Sequence, residues 1–408
     1  MTRTTPMPGP PIPRLPAFGW STLSGAAEAD VPCMLSLPGA TFTTSGRASI
    51  LLALEALGVG AGDEVLIPTY HCPTMVAPVV HLKAAARFYP IDGSGALAWD
   101  WLLAQDLRRV RVLLAAHLFG LPQPLAQLRQ WCDERGVALL EDCAHSLFGR
   151  SGGRPIGAWG DIAIGSLTKF LPMPTGGCLV SNRAPWRTVL TPPGWSAGPR
   201  MALDAMEVAS RHGRLAGLNG IVAGTLALAR RLRGGSVAES ADTVPATPPD
   251  ADQLGGIDAA LAHRALPAAG RWMANQIPRA RIVSARRERY RQLALRLAGH
   301  RGLRPLMPDL PEQCAPYVFP LWVDNPDPGY AQLRARRMPV SRWDWLWPGV
   351  PAIDGDQGLV WSHHVLQLAC HQDISDHDLE VFVQALLQLY AAAPARPHAP
   401  MLAQLHNA

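Results

Sequence analysis

The chain has 408 residues, 48% of them hydrophobic and 17% charged, which suits a folded, soluble protein of two domains, or one large α/β domain with a smaller appendage. Its net charge of +5 comes from arginines spread along the chain with only brief pairs such as Arg230-Arg231 and Arg286-Arg287. That pattern reads as solvated helix faces and excludes a nucleic-acid footprint.

The seven cysteines (Cys33, Cys72, Cys132, Cys143, Cys178, Cys314, Cys370) form an odd, scattered set with no CxxC. They argue against a disulfide framework or a metal site and for a reducing cytoplasm. The N-terminal stretch MTRTTPMPGPPIPRLP has no apolar core of the signal-peptide kind. Leu215 to Leu232 is apolar but interrupted by Asn219 and three glycines, short of the ~20 residues a spanning helix needs. No membrane insertion is expected.

Residues 1–40 read as an irregular N-terminal arm. From Phe42 the pattern changes: Thr43-Thr44-Ser45-Gly46-Arg47-Ala48-Ser49 opens the apolar helical run Ile50–Leu57, closed by Gly58. A small-residue turn opening a helix presents free N–H groups to an anion such as phosphate; the plainer reading is capping by Ser45. Strand Glu64–Pro68 follows, then Thr69-Tyr70-His71-Cys72-Pro73 and a helix. Strand Ala86–Pro90 ends near Asp92, and strand Val110–Ala115 ends at His117. Helix Pro124–Arg135 precedes strand Val137–Leu140, which delivers Glu141-Asp142-Cys143-Ala144-His145-Ser146. Repeated β-then-α alternation, with polar residues just past the strand ends, predicts a mostly parallel, helix-covered sheet with its site at the strands' carboxyl ends. The run Gly58-Val59-Gly60-Ala61-Gly62 follows a helix and precedes a strand, the reverse of a dinucleotide fingerprint.

Asp161–Asn182 reads as strand (Ile162–Ile164), an exposed turn carrying Ser166-Leu167-Thr168-Lys169, then Gly176-Gly177 and a second strand, Cys178–Val180. Of 37 Lys+Arg residues only Lys83 and Lys169 are lysines. Arginine can replace lysine as a surface charge but cannot lose its proton to become an imine-forming nucleophile. Beyond this, Trp186 to about Gly235 reads as helical, and Ser236–Gly256 as a polar, Pro-rich flexible loop. Ile257–His300 is helical again. Tyr317–Val323 is a strand, Gln332–Arg337 a helix, and Trp343, Trp345 and Trp347 form a cluster. Val365–Ala369 is a strand, and Asp376–Ala391 a final helix capped from Ile374-Ser375-Asp376. The chain thus divides into an arm (1–40), a large domain (41–275), a small C-terminal domain (276–392) and a tail (393–408).

One sheet edge then carries a scarce amine (Lys169), an acid past a neighbouring strand (Asp142) and a phosphate-type helix start (Ser45–Ala48). Pyridoxal phosphate asks for that trio: an amine for its aldehyde, a carboxylate for its ring nitrogen, and N–H and hydroxyl donors for its phosphate. At this point the chain resembles the fold-type I aminotransferases of the DegT/DnrJ/EryC1/StrS group, which mostly aminate nucleotide-linked keto-sugars. The likeness rests on SGRASILLALEALGVGAGDEVLIPTY, LLAAHLFGLP, ALLEDCAHSLFG, GAWGDIAIGSLTK, GGCLVSN and LACHQDISDHDLEVF.

The resemblance implies an α/β fold with a mostly parallel central sheet flanked by helices plus a smaller α+β domain. It implies pyridoxal 5'-phosphate as cofactor, Lys169 as the Schiff-base lysine and Asp142 as the ring-nitrogen partner. His145 falls beside the cofactor ring, with Gly46, Arg47 and Ala48 in the phosphate loop and Ser166 and Thr168 as further contacts. The family stacks an aromatic residue on the ring from the turn after the second strand; here Cys72 takes the usual place, so Tyr70 or His71 would substitute. Arg47 replaces the family's Thr or Ser, and Phe170 its Asn. Pro172-Met173-Pro174-Thr175 replaces a Gly/Glu-containing turn. The retained lysine argues against the sugar-dehydrating branch, in which it is His.

The reaction implied is a ping-pong transfer from a small-molecule amino donor, with glutamate expected, to a keto acceptor, within a homodimer that shares its active site. The alternatives are another reaction on the same cofactor (dehydration or decarboxylation), a non-sugar ketone as acceptor, or a non-catalytic regulatory role.

Overall fold

The structure, a computed structural model, describes residues 10–24, 31–184, 186, 188–225 and 256–391. Within them the arm contains only short 3-10 turns, Trp20–Leu23 and Met34–Ser36, and no longer helix. It is nevertheless tied down, because the Pro11 carbonyl meets His212 Nδ1 at 2.6 Å and the Pro13 carbonyl meets His371 Nε2 at 2.9 Å.

The large sheet has seven strands: β1 (Thr41–Thr43), β2 (Glu64–Pro68), β3 (Ala85–Tyr89), β4 (Val110–Ala116), β5 (Ala138–Asp142), β8 (Ile162–Ser166) and β9 (Gly177–Ser181), in the order β1-β9-β8-β5-β4-β2-β3. The short hairpin strands β6 (Arg150–Ser151) and β7 (Arg154–Pro155) stand apart. The pairs β2/β3, β2/β4, β4/β5 and β5/β8 are parallel, while β9 runs antiparallel to β8 and β1 antiparallel to β9. The central strands are almost continuous runs of Val, Ile, Leu and Ala, and their buried patterns (iBBBB, BeBBBBB, BBBBB) are those of a sheet covered on both faces. Covering helices include α1 (Gly46–Ala56), α2 (Pro73–His81), α3 (Trp99–Leu103) and α4 (Ala126–Arg135).

A second, antiparallel sheet has the order β10-β11-β13-β12, with β10 Leu303–Pro305, β11 Val318–Val323, β12 Val340–Ser341 and β13 Val365–Ala369. Its own core packs Tyr290, Leu293, Phe319, Leu321, Leu368 and Phe382. Around it lie α8 (Arg279–Leu297), α9 (Gly329–Ala335), α10 (Gly358–His364) and α11 (Asp376–Tyr390). Ser375 caps α11 in a reciprocal box with Asp378, one residue before the helix as the sequence suggested.

Two sequence expectations give way. Residues 188–196 form no helix, α5 spans Ala197–Arg211, and residues 219–225 are helical again; Pro192-Pro193-Gly194 cannot start a helix earlier. The run from Ile257 is broken into α6 (Ala259–Ala262), α7 (Ala268–Gln276) and α8, with Pro267 and Pro278 marking the breaks. The expected flexible loop lies, apart from Gly256, outside the described residues, as does the tail from Ala393. Among the described residues no helix is long and apolar enough to cross a membrane.

Candidate active site

The helix start comes first, because backbone packing fixes it. Ser45 lies directly over Gly177 of β9: a Cβ on Gly177 would come 2.4 Å from the Ser45 carbonyl. Only glycine lets α1 begin so close to the hairpin that carries Lys169. Ser45 Oγ accepts from Ala48 N at 3.1 Å, so the capping reading is correct. The cap satisfies one of the first-turn donors and leaves the positive end of the helix facing the sheet edge. Arg47 does not turn inward; its Nη1 donates to the Gly256 carbonyl at 2.8 Å, across the mouth.

The acids come next. Neighbouring residues of a strand point to opposite faces, so Glu141 and Asp142 have separate environments. Glu141 accepts from Gly157 N (2.8 Å), Trp159 N (2.8 Å), Gly160 N (3.0 Å) and His117 Nε2 (3.1 Å). Burial pushes its pKa up, but the donors, His117 foremost, outweigh that and hold it below the usual carboxylate range. His117 Nδ1 accepts from Gln123 N at 3.0 Å, so His117 carries its proton on Nε2 and belongs to this buried network. Asp142 is also buried, yet only Oδ1 is bonded, to Ala144 N at 2.8 Å. Its Oδ2 is buried with no hydrogen-bond partner. Burial raises the Asp142 pKa, against the pull of Ala144 N–H, Lys169 and His117.

The amine completes the set. Lys169 ends the 3-10 turn Leu167–Lys169 that follows β8. Its Nζ lies 5.2 Å from the centre of the Tyr317 ring, and that ring stacks on His145 at 4.4 Å. Burial lowers the Lys169 pKa; the fields of Cys72 and Asp142 oppose this, and that of Arg14, from the arm, adds to it. The same amine, after burial itself, depresses His145 well below the ordinary imidazole range.

A cavity of about 530 Å³ joins these elements and is lined by Ser45–Ala48, Asp142, Ser166 and Lys169, among others. Of the residues predicted for the site, it gathers Gly46, Arg47, Ala48, Asp142, Ser166 and Lys169. His145 stands behind Tyr317 rather than in the lining, and Thr168 touches the cavity only through Ser166, whose Oγ is 3.3 Å from Thr168 Oγ1. Tyr70 and His71, expected to cover the cofactor ring, are both drawn into the core. Tyr70 OH accepts from Gln367 Nε2 at 3.0 Å, and its ring packs on Trp343 at 4.9 Å. His71 stacks on Phe88 at 5.0 Å, reaches the Pro68 carbonyl through Nδ1, and accepts from Trp347 N at 3.0 Å through Nε2. Cys72 and Thr74 line the cavity in their stead. Sequence reasoning noted Cys72 at that place but gave it no role, and it missed Tyr317 altogether. The signal for Tyr317 was indirect: Gly120 of LFGLP sits at φ +89°, where a Cβ would come 2.3 Å from Tyr317 N.

A larger open hollow, about 600 Å³ and lined by Thr191, Pro192, His263 and Arg264 among others, holds none of these residues.

The residues fit a pyridoxal-type group: a buried carboxylate oxygen lacks a donor, a depressed amine shares its cavity, and a helix start closes the far side. In comparison with known proteins, residues 34–186 match a family model. That model describes the DegT/DnrJ/EryC1/StrS aminotransferase family. The matched segment runs from the end of the arm through the Lys169 hairpin. GDP-perosamine synthase of Vibrio cholerae is 30% identical over 171 residues, 40% of this chain and 47% of that one. L-glutamine:2-deoxy-scyllo-inosose aminotransferase of Streptomyces kanamyceticus is 33% identical over 141 residues, 34% of this chain and 33% of that one. The chain thus matches less than half the length of either relative. The fold agrees more widely. DesV of S. venezuelae, solved with a ketimine intermediate, superposes with a TM-score of 0.56 at 20% identity, covering 86% of this chain and 84% of that one. At that identity the likeness establishes the fold alone.

Proposed function

We propose that this chain is a pyridoxal-phosphate-dependent aminotransferase that carries an amino group from glutamate to a keto acceptor of the nucleotide-linked sugar class. One observation carries the reading: Asp142 Oδ2, buried and without a donor, faces the same cavity as Lys169. A buried acceptor left unmade costs about 1–3 kcal/mol, and the N–H of a protonated ring nitrogen is the donor that would remove that cost. The bound cofactor supplies an electrophilic carbon and a sink for the electron pair released at the donor's α-carbon.

This chain's own residues do the rest. Asp142 would hold the ring nitrogen's proton through its unpartnered Oδ2. The first-turn N–H groups of α1 at Gly46 and Arg47, together with the Ser166 hydroxyl, form the phosphate seat. Lys169, whose pKa burial lowers, accepts a proton at Nζ and returns it, and its flexible stem lets the amine move. Tyr317, backed by His145, keeps water from one side of that amine.

The sugar class of the acceptor rests on the relatives, among them a perosamine synthase and inosose aminotransferases. A homodimer belongs to the same reading. Trp195, Leu203, Met206 and Trp272 are exposed apolar side chains of the kind an interface covers, and sedimentation would test it. The seven cysteines are unpaired and six of them buried, which supports a reducing, cytoplasmic setting.

The deciding experiment adds pyridoxal phosphate to the purified chain and then mixes the aminated form with a panel of keto-sugar nucleotides and simple ketones. Return of the visible absorbance identifies the acceptor. Absence of any absorbance change on adding the cofactor would refute the proposal, and a product other than an amine would transfer it to one of the other reactions on this cofactor.

A further inference from the structure

Three features of the Lys169 region take no part in the proposed reaction: Phe170, Pro172 and the fully buried cation Arg286. A 3-10 turn satisfies each carbonyl with the N–H three residues on. The Lys169 carbonyl would look to residue 172, but that is a proline with no N–H. The Phe170 carbonyl would look to Met173, whose N–H is bonded to Leu171 O at 2.7 Å. The turn therefore presents two successive carbonyls that the local backbone cannot satisfy.

Both are met from outside the large sheet. Arg286 Nη2 donates to Lys169 O at 2.7 Å, and Gln372 Nε2 donates to Phe170 O at 2.8 Å. The two donors are joined, since Arg286 Nε donates to Gln372 Oε1 at 3.0 Å. Arg286 Nη1 reaches the carbonyls of Pro316 (3.0 Å) and Tyr317 (3.2 Å), and its guanidinium lies 4.5 Å over the Phe170 ring. One planar cation thus grips the backbone of the lysine, the ring beside it, and the backbone of the tyrosine whose ring faces Nζ. Lysine could not make that fork.

We propose that Arg286 and Gln372 are positioning residues for Lys169: a clamp from α8 and the end of β13 that fixes where the amine stands relative to Asp142 and Tyr317. The inference deepens the aminotransferase reading and rests on it for the role of Lys169. It does not rest on that reading for its test, which uses the full chain without cofactor. With two lysines in the sequence, trace acetylation across a pH series followed by peptide mass spectrometry reports the Lys169 amine against exposed Lys83. The groups facing that amine are Cys72, Asp142, Arg14 and Tyr317, and none of them is changed.

In the wild type Lys169 is expected to titrate below the ordinary lysine range, because it is buried. Arg286→Lys and Gln372→Met leave the charge of the chain as it is but release one or both carbonyls. Each is expected to raise the Lys169 midpoint toward the ordinary lysine range by about one pH unit, as burial of the amine is relieved. Arg281→Gln serves as the control: it breaks the 3.0 Å pair with Asp373, next in sequence to Gln372, and should leave the midpoint where it is. If Arg286→Lys does not fold, Gln372→Met decides. A midpoint unchanged in the folded clamp variants, or moved equally by Arg281→Gln, overturns the proposal. A wild type that takes up no pyridoxal phosphate while the midpoint still shifts would overturn the aminotransferase reading and leave the clamp standing.

Discussion

Glu141 and Asp142 are neighbours in one strand, both carboxylates and both buried, and they face two differently built regions. On the Glu141 side, His117 and three backbone N–H groups close around the acid and leave no oxygen idle. On the Asp142 side, one oxygen is held by Ala144 N and the other points at nothing in the protein. The first region is finished within the chain, whereas the second keeps one buried acceptor without a donor from the protein. Both are buried carboxylates, so what separates the two acids is the count of donors around each.

The sharpest attack on that contrast goes through the amine that shares the unfinished region. Lys169→Arg should lower transamination by about 10³-fold or more, since a guanidinium can neither form an imine nor exchange a proton near neutrality. Steady-state turnover with cofactor present checks it, and a variant within threefold of wild type would remove Lys169 from the mechanism.

Glu141→Gln comes second. It leaves two or more N–H groups unsatisfied in the core, and urea unfolding of the cofactor-free chain should show a loss of about 3–5 kcal/mol. Asp142→Asn is the mirror experiment. It should stabilise the cofactor-free chain at neutral pH by about 1 kcal/mol, because a neutral amide is less costly to bury than an idle carboxylate, while cofactor affinity falls. Equal losses in the two variants would erase the distinction.

The smallest effect is a pH dependence, and its signs differ for the two acids. Asp142 has its folded pKa raised, so between the unfolded value of about 3.9 and the folded one the native state holds a proton that the unfolded chain has lost. Its contribution makes stability fall as pH rises through that window. Glu141 has its folded pKa lowered, so its stabilisation is full above the unfolded value of about 4.3 and is lost as pH falls toward the folded one. The gain from Asp142→Asn should therefore vanish below pH ~4, and a gain that persists there would show that charge is not its cause.

Much of the site was legible in the residues. Lys169 stood out by the near absence of lysine elsewhere, Asp142 by its place one step past a strand, and α1 by its small-residue entrance. Strand alternation is local and survives into the fold, which is why the parallel sheet could be read. The parts that could not be read depend on contacts distant in sequence. Tyr70 and His71 both offered an aromatic ring beside Cys72, but Gln367, 297 residues away, bonds Tyr70 in the core, and the Trp347 N–H, 276 residues away, holds His71 there. Tyr317 and Arg286 enter from the second sheet and its helix, and nothing in their own neighbourhoods marks them. Pro172 reads in the sequence as a mere departure, yet it strands the Lys169 carbonyl that distant Arg286 meets.

The arm offers a last consequence. Pro11 and Pro13 have no N–H to give, so they are fastened through their carbonyls to two imidazoles. His371 accepts from Asp373 N through Nδ1 at 3.3 Å and so grips Pro13 with Nε2–H. Burial holds His371 down to about 3 from its ordinary 6.5; across that interval acid works against the folded state as a whole, yet the imidazole keeps the same tautomer while the fold lasts. The Pro13–His371 contact is therefore a rivet rather than a latch while the protein remains folded.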